Sequence, residues 1–415
     1  MRTLLPIGLT LVSLCVSLPA FAQEEPALET PEKVTVVNEP LPIERVELLG
    51  IAFDAASAFP TVPHVKNRAR AQFEVVEACF ALGQPIWALE YSKRIDGWRK
   101  GAGFAEFAAY CAQRGENSER VQKALADAKA IANQNGDEEQ DGQAWRRDLI
   151  LVKVALAEYL LDNESQRGEL AEAALSSGNA TVALMLGTMS SEELLEREFE
   201  ALAKTLEQND FENSRDLLTI LVDLFDRNYG DTEKRKLIEK RIRTSWGKLP
   251  LMIRMELLMG LARSATKHAE PTEFHRYRTE AFALFEDFNW MPETRVPLEA
   301  QWAELRFLAG EVEAAKTELE QAHKRFETNR DRIYDINRAD ALRPVAEAYH
   351  AIGLSEEAGK FYALVIEAGV ENPNSRPRVD DLVATCCSIA KNGFEPNEEL
   401  RKRIREIRSG LGSPW

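Results

Sequence analysis

The residues in this chain best suited to holding a metal are His268 and His275, which flank the Glu270-Pro271 turn with Glu273 beside them. Zinc needs three or four donors converging on one point. No CxxC pair and no Cys/His cluster supplies the rest, so the pair reads as two surface residues at helix ends. No metal and no cofactor is expected. Acid–base chemistry would need two carboxyls held in unlike environments. Glu192-Glu193, Glu356-Glu357 and Glu398-Glu399 are adjacent pairs, but each sits where a helix would begin. Ser190-Ser191 and Ser355 precede two of them as apparent caps, and acids there favour the helix dipole. HExxH, GxSxG, the P-loop and a strand-borne GxGxxG are all missing. Gly101-Ala-Gly103 lacks a preceding strand and reads as a turn. No catalytic residue is named, and the chain is not expected to be an enzyme.

The cysteines carry little chemistry by themselves. Cys79, Cys111, Cys386 and Cys387 follow Cys15, which lies in the apolar N-terminal run. Four thiols would permit disulfides in an oxidising compartment. They would equally serve as small apolar side chains in helix cores, and that is the expectation here. Neighbours on one helix, Cys386 and Cys387, point in different directions and would not bond each other without strain.

The elements that position these side chains read as helices almost throughout. Apolar residues recur three and four apart at Val46, Leu49 and Phe53, at Phe73, Val76 and Phe80, and at Leu149, Val152, Leu156 and Leu160. That spacing gathers them on one face of a helix. Alanine, leucine, glutamate, lysine and arginine, the strong helix formers, dominate. Short breaks fall at Gly83-Gln-Pro85, Gly115, Asn228-Tyr-Gly230, Glu270-Pro271, Gly310 and Gly353, so successive helices should pack antiparallel. The expected fold is all-α, a solenoid of stacked helix pairs. Its regions are 43–245 and 246–415, divided at Trp246-Gly-Lys-Leu-Pro250. The polar stretch 133–143 is a loop or a weaker boundary.

Segment 341–362 resembles a tetratricopeptide repeat. Gly353 is its turn glycine, Ala346 and Ala358 are its small contact positions, and Tyr349 and Tyr362 are its large ones. The same ruler fits in part around Gly83, Gly115 and Gly310, with Cys79, Cys111 and Arg306 where Tyr349 stands. Gly83 and Gly115 lie 32 residues apart, near the family period of about 34; Gly310 and Gly353 lie 43 apart, too far for adjacent standard repeats. The resemblance implies a groove lined by the first helix of each pair. Its side chains would be Glu77 and Phe80, Glu304 and Phe307, and Glu347 and His350, joined by Arg343. A glutamate recurring beside a ring suits a basic or amphipathic peptide, so the expected partner is another protein.

The start of the chain points to export. Arg2, an apolar run from Leu4 to Val16, Pro19 and the small-x-small site Ala20-Phe21-Ala22 make a signal peptide over 1–22, cleaved near Ala22-Gln23. A lipid anchor at Cys15 is the alternative, disfavoured by Leu14. The run is too short to span a bilayer. Residues 23–42, acidic and rich in proline, read as a flexible leader. Within it Lys33-Val-Thr-Val-Val37 is strand-like and could join a partner's sheet edge. After cleavage 51 basic residues face 68 acidic ones, a net charge of −17, which repels nucleic acid and anionic membranes. The last helix, with Arg401, Lys402, Arg403, Arg405 and Arg408, reads as a polar cap on the array. Together these features describe an exported scaffold or protein-binding module, periplasmic or extracellular. An all-helical hydrolase or lyase acting on envelope polymers, and a self-assembling structural component, are the alternatives.

Overall fold

The computed structural model describes residues 34–134, 144–162 and 211–415, with sixteen α-helices among them. The expected signal peptide, the first part of the leader, most of the 133–143 stretch and the Ser190-Ser191 cap lie outside these residues. In chain order the helices are α1 (Ile43–Ser57), α2 (Thr61–Ala81), α3 (Pro85–Lys93), α4 (Trp98–Ala112), α5 (Glu119–Gln134), α6 (Ala144–Asp162), α7 (Phe211–Arg227), α8 (Thr232–Thr244), α9 (Leu251–Lys267), α10 (Pro271–Asp287), α11 (Pro292–Leu308), α12 (Val312–Asn329), α13 (Asp335–Ala351), α14 (Ser355–Val370), α15 (Ser375–Asn392) and α16 (Glu398–Ser409).

They form two layers. In the first, neighbours pack directly: α6 on α4, α4 on α2, α2 on α15, and then α13, α11, α9 and α7 in turn. In the second, α5, α3, α1, α16, α14, α12, α10 and α8 cover them. Second-layer neighbours meet largely through long side chains, whereas first-layer helices approach closely; the two layers are termed outer and inner. Small residues make this close approach possible. Ala108, Ala262, Ala303, Ala346 and Cys386 are all buried on first-layer helices. Each stands seven residues before a turn residue.

Those turns repeat one hydrogen-bonded motif. Gly83, Gly115, Gly310 and Gly353 have φ of 66°, 80°, 91° and 81°. In each, the residue after the glycine donates its N–H to a carbonyl five residues back: Gln84 to Cys79, Glu116 to Cys111, Glu311 to Arg306 and Leu354 to Tyr349. This 6→1 bond closes a helix whose C′ residue is left-handed. The four turn glycines of the sequence reading are therefore turn glycines in the fold. Two further turns carry the same bond, at Ala269 (φ 56°) and at Gly393 (φ 71°). Positions 269, 310, 353 and 393 belong to consecutive units of 40 to 43 residues. Gly310 and Gly353 are thus neighbours, contrary to the sequence expectation. Their helices of 16 to 18 residues are simply long.

Other expectations are corrected. Gly101 and Gly103 lie inside α4, not in a turn. A Cβ on Gly101 would come within 2.8 Å of Ile131 on α5, and one on Gly103 would collide with Ser92 on α3. They let three helices close up. Ile242 and Ile253, either side of residues 246–250, belong to one buried cluster. Residues 48–95 instead share their core with 296–404, because α1 and α2 pack on α15. Ser355 is the first residue of α14, with Leu354 in the cap position and no side-chain cap. Asn397 does cap α16, accepting from the Leu400 N–H at 2.8 Å.

The last helix is not a free end. Arg405 pairs with Glu47 of α1 at 2.7 Å, Arg408 with Asp54 of α1 at 3.4 Å, and Arg403 with Glu367 of α14 at 2.6 Å. It seals the seam between the first and last helices instead of capping an array end. The described part of the leader, residues 34–42, is also held in place, not loose. It runs extended along the turn edge. Val36 donates its N–H to Glu116 Oε2 at 2.6 Å. Asn38 accepts from the Ile86 N–H at 2.9 Å, and Glu39 donates to the Gly83 carbonyl at 2.8 Å. Val36 is buried. The strand-like run is thus used within the chain at this residue.

Candidate binding surface

The predicted groove residues all fall on first-layer helices: Glu77 and Phe80 on α2, Glu304 and Phe307 on α11, and Arg343, Glu347 and His350 on α13. They divide by role. The ring positions pack between units. Phe80 lies 5.6 Å from Tyr110 of α4, Phe307 is packed on the core shared by the two chain ends, and His350 meets Phe394 edge-on at 5.5 Å. His350 Nε2 also lies 3.0 Å from the Asn392 carbonyl. Glu347 accepts from Ser388 Oγ at 2.5 Å, and Arg343 pairs with Asp340. Among the described residues the Glu77 and Glu304 carboxylates have no hydrogen bond or ion pair.

The field on this layer shows which residues face each other. Burial raises the Glu304 carboxyl above the usual range; Arg263 of α9 opposes this, and Glu347 adds to it. The structure so brings Glu304 and Glu347 to one place. Burial likewise raises Glu77, reinforced by Glu74 and by Glu106 of α4. The Glu77 side chain is nonetheless exposed to water. Glu74 is raised by burial against the opposing fields of Arg343 and Lys391. That links α2 to α13 across α15, and so joins the two groups of predicted residues.

The sequence reading missed several members of this surface. Glu74 and Glu106 each stand nine residues before a turn glycine, a register signal that was available. Arg263 stands six before Ala269, equivalent to Glu77, Glu304 and Glu347, but its turn has no glycine to mark it. Some charges are paired: Arg70 with Asp380 at 2.9 Å and Lys153 with Glu106 at 3.0 Å. Among the described residues Glu74, Glu77 and Glu304 have no hydrogen bond or ion pair, and neither have Arg263 and Lys391, whose fields reach them. Among the described residues no cluster of three potential ligands holds a metal. His268 Nε2 lies 3.0 Å from Asp226, whereas His275 Nε2 lies 2.8 Å from Glu311, so the two histidines face different carboxylates. No helix among the described residues is long and apolar enough to cross a membrane. Cys79, Cys111, Cys386 and Cys387 are free, buried thiols. Burial pushes the first three up to about 12.

No family model matches this chain, and no curated protein does. Among solved structures it is similar to a circular tandem repeat protein with a novel repeat topology and enhanced subunit contact surfaces. The identity is 16%, over 88% of this chain and 95% of that one, with a TM-score of 0.26. The chain is a tandem helical repeat protein by its own geometry, and its units between Ala269 and Gly393 are longer than the tetratricopeptide period.

Proposed function

We propose that this protein is a non-catalytic scaffold that binds a basic or amphipathic segment of another protein along its inner helix layer. The observation that carries this is the set of three carboxylates, Glu74, Glu77 and Glu304, which burial raises and which have no hydrogen bond or ion pair among the described residues. Removing a charge from water without pairing it costs free energy. A cation supplied by a partner would relieve that cost, and Arg263 and Lys391 beside them would direct acids or carbonyls of the same partner. The likeness of 341–362 to a tetratricopeptide unit supports the same mode, since those arrays bind peptides on their first helices. The compartment we infer from residues 1–22 is outside the cytoplasm, periplasmic or extracellular. The net charge of −17 of the cleaved chain argues against nucleic acid as the partner.

A photocrosslinking residue placed at Glu77 or Glu304 tests this in the native envelope. Crosslinks from both positions to one protein, absent from an outward position such as Glu313, support the scaffold. Hydrolysis of wall polymers by the purified protein, with no protein crosslinked, overturns it.

A further inference from the structure

The outer layer has one junction unlike the rest. Successive outer helices are elsewhere bridged by opposite charges or by rings. Arg276 meets Glu239, and Arg243 meets Glu280, both at 2.7 Å, between α8 and α10. His275 meets Glu311 at 2.8 Å between α10 and α12. His323 lies 4.6 Å from Phe361 between α12 and α14, and Phe53 stacks on Tyr91 at 4.2 Å between α1 and α3. Among the described residues nothing of this kind crosses from α3 to α5. A cavity of about 590 Å³ opens there, with α4 as its base.

Its lining is part cationic and part apolar. Among the described residues that line it, Lys93, Lys100, Arg120 and Lys123 stand with one acid, Asp127, in a chain that is strongly acidic overall. Lys93 is occupied by Glu90 at 2.6 Å, and Arg120 by Glu116 at 2.7 Å. Among the described residues Lys100 and Lys123 have no hydrogen-bond or ion-pair partner for their ammonium groups. Leu89, Phe104 and Ile131 make up the apolar floor. The close packing that Gly101 and Gly103 allow builds this floor. The larger opening between α14 and α16, about 820 Å³, differs: its cations are matched, Lys360 with Glu356 at 2.8 Å and Arg403 with Glu367 at 2.6 Å.

We infer that the α3–α4–α5 junction is a binding site for a small amphipathic organic anion, with its headgroup at Lys100 and Lys123 and its apolar body on Leu89, Phe104 and Ile131. The size falls within the range of small-molecule pockets, which combine an apolar lining with a few placed charges. Unbalanced cations select an anion, and the floor selects against a bare ion.

Calorimetric titration of the full chain with octanoate tests this, with acetate as the head without the tail and octyl glucoside as the tail without the charge. One octanoate per chain, at least tenfold tighter than either control, is expected. In K100Q/K123Q, whose thermal unfolding should match wild type, octanoate affinity should fall at least tenfold. Octanoate binding no tighter than acetate or octyl glucoside, or binding unchanged in the folded double variant, overturns the site.

Discussion

Ala269 holds in the α9–α10 turn the left-handed place that Gly353 holds in the α13–α14 turn, at φ 56° against 81°. Both turns close with the same bond, from Glu270 to Ala265 and from Leu354 to Tyr349. A non-glycine residue in this region costs roughly 1–2 kcal/mol. A Cβ on Gly353 would meet nothing within 4 Å, so the backbone alone sets the difference. Ala269→Gly should therefore stabilise the protein by up to about 1 kcal/mol, and Gly353→Ala should destabilise it by about 1–2 kcal/mol. Denaturant unfolding checks both signs. A destabilised Ala269→Gly would mean that the turns are not equivalent.

The strap at residues 34–42 depends on one buried acid. Glu116 accepts from Val36, Ser118 and Arg120. Burial would raise its carboxyl, but these donors outweigh burial and leave it below the usual range. A carboxyl depressed by folding adds stability above its ordinary titration range, and that stability is lost as pH falls. Removing it leaves the Val36 N–H and the Arg120 guanidinium short of an acceptor, a loss of about 2–3 kcal/mol. Hydrogen exchange at Val36 and Glu39 should accelerate in Glu116→Ala more than exchange in α13 does. Uniform acceleration throughout would contradict a local strap.

Asp381 gives a pH signature of opposite sign. Burial, with Asp340 reinforcing it, raises its carboxyl to about 7, against the field of Arg343. Folding thus retains a proton that the unfolded chain releases above its ordinary pKa of 3.8. Stability from this group is complete in acid and declines as pH rises from about 4 to about 7, by on the order of 3–4 kcal/mol. Asp381→Asn keeps an oxygen for the Asn372 amide, which lies 3.1 Å from Asp381 Oδ2. The variant should be more stable than wild type at pH 8 and lack most of this slope. An unchanged slope would show that Asp381 is ionised in the fold.

What the sequence made legible was set by local chemistry. Helices show in their period, and glycine shows where a turn needs positive φ, so Gly83, Gly115, Gly310 and Gly353 were readable. The α9–α10 turn was not, because Ala269 accepts the strain and leaves no mark; Arg263 was lost with it. Glycine inside α4 looked like a turn because its partners, Ser92 and Ile131, are brought close only by packing. The pairing of Arg405 with Glu47 joins residues some 350 positions apart, and no periodicity along one chain reports a seam of that kind. Register placed Glu77, Glu304 and Glu347 at equivalent positions of first-layer helices, whereas Phe80, Phe307 and His350 go into packing. Their burial depends on neighbouring units that a single repeat does not reveal.

The inner layer makes a prediction in which stability and binding part company. Burial raises the Glu74, Glu77 and Glu304 carboxyls despite the opposing fields of Arg343, Lys391, Arg99 and Arg263, and among the described residues none of the three has a hydrogen bond or ion pair. Groups retained for binding at a cost to stability behave in this way. The decisive measurement is the affinity of a lysine-rich amphipathic peptide for wild type and for Glu74→Gln/Glu77→Gln/Glu304→Gln, alongside their unfolding. The triple variant should be at least as stable as wild type at pH 8, bind at least tenfold more weakly, and lose affinity less steeply with salt. Equal affinity in a folded triple variant would contradict the account of this surface as a binding site for a cationic partner.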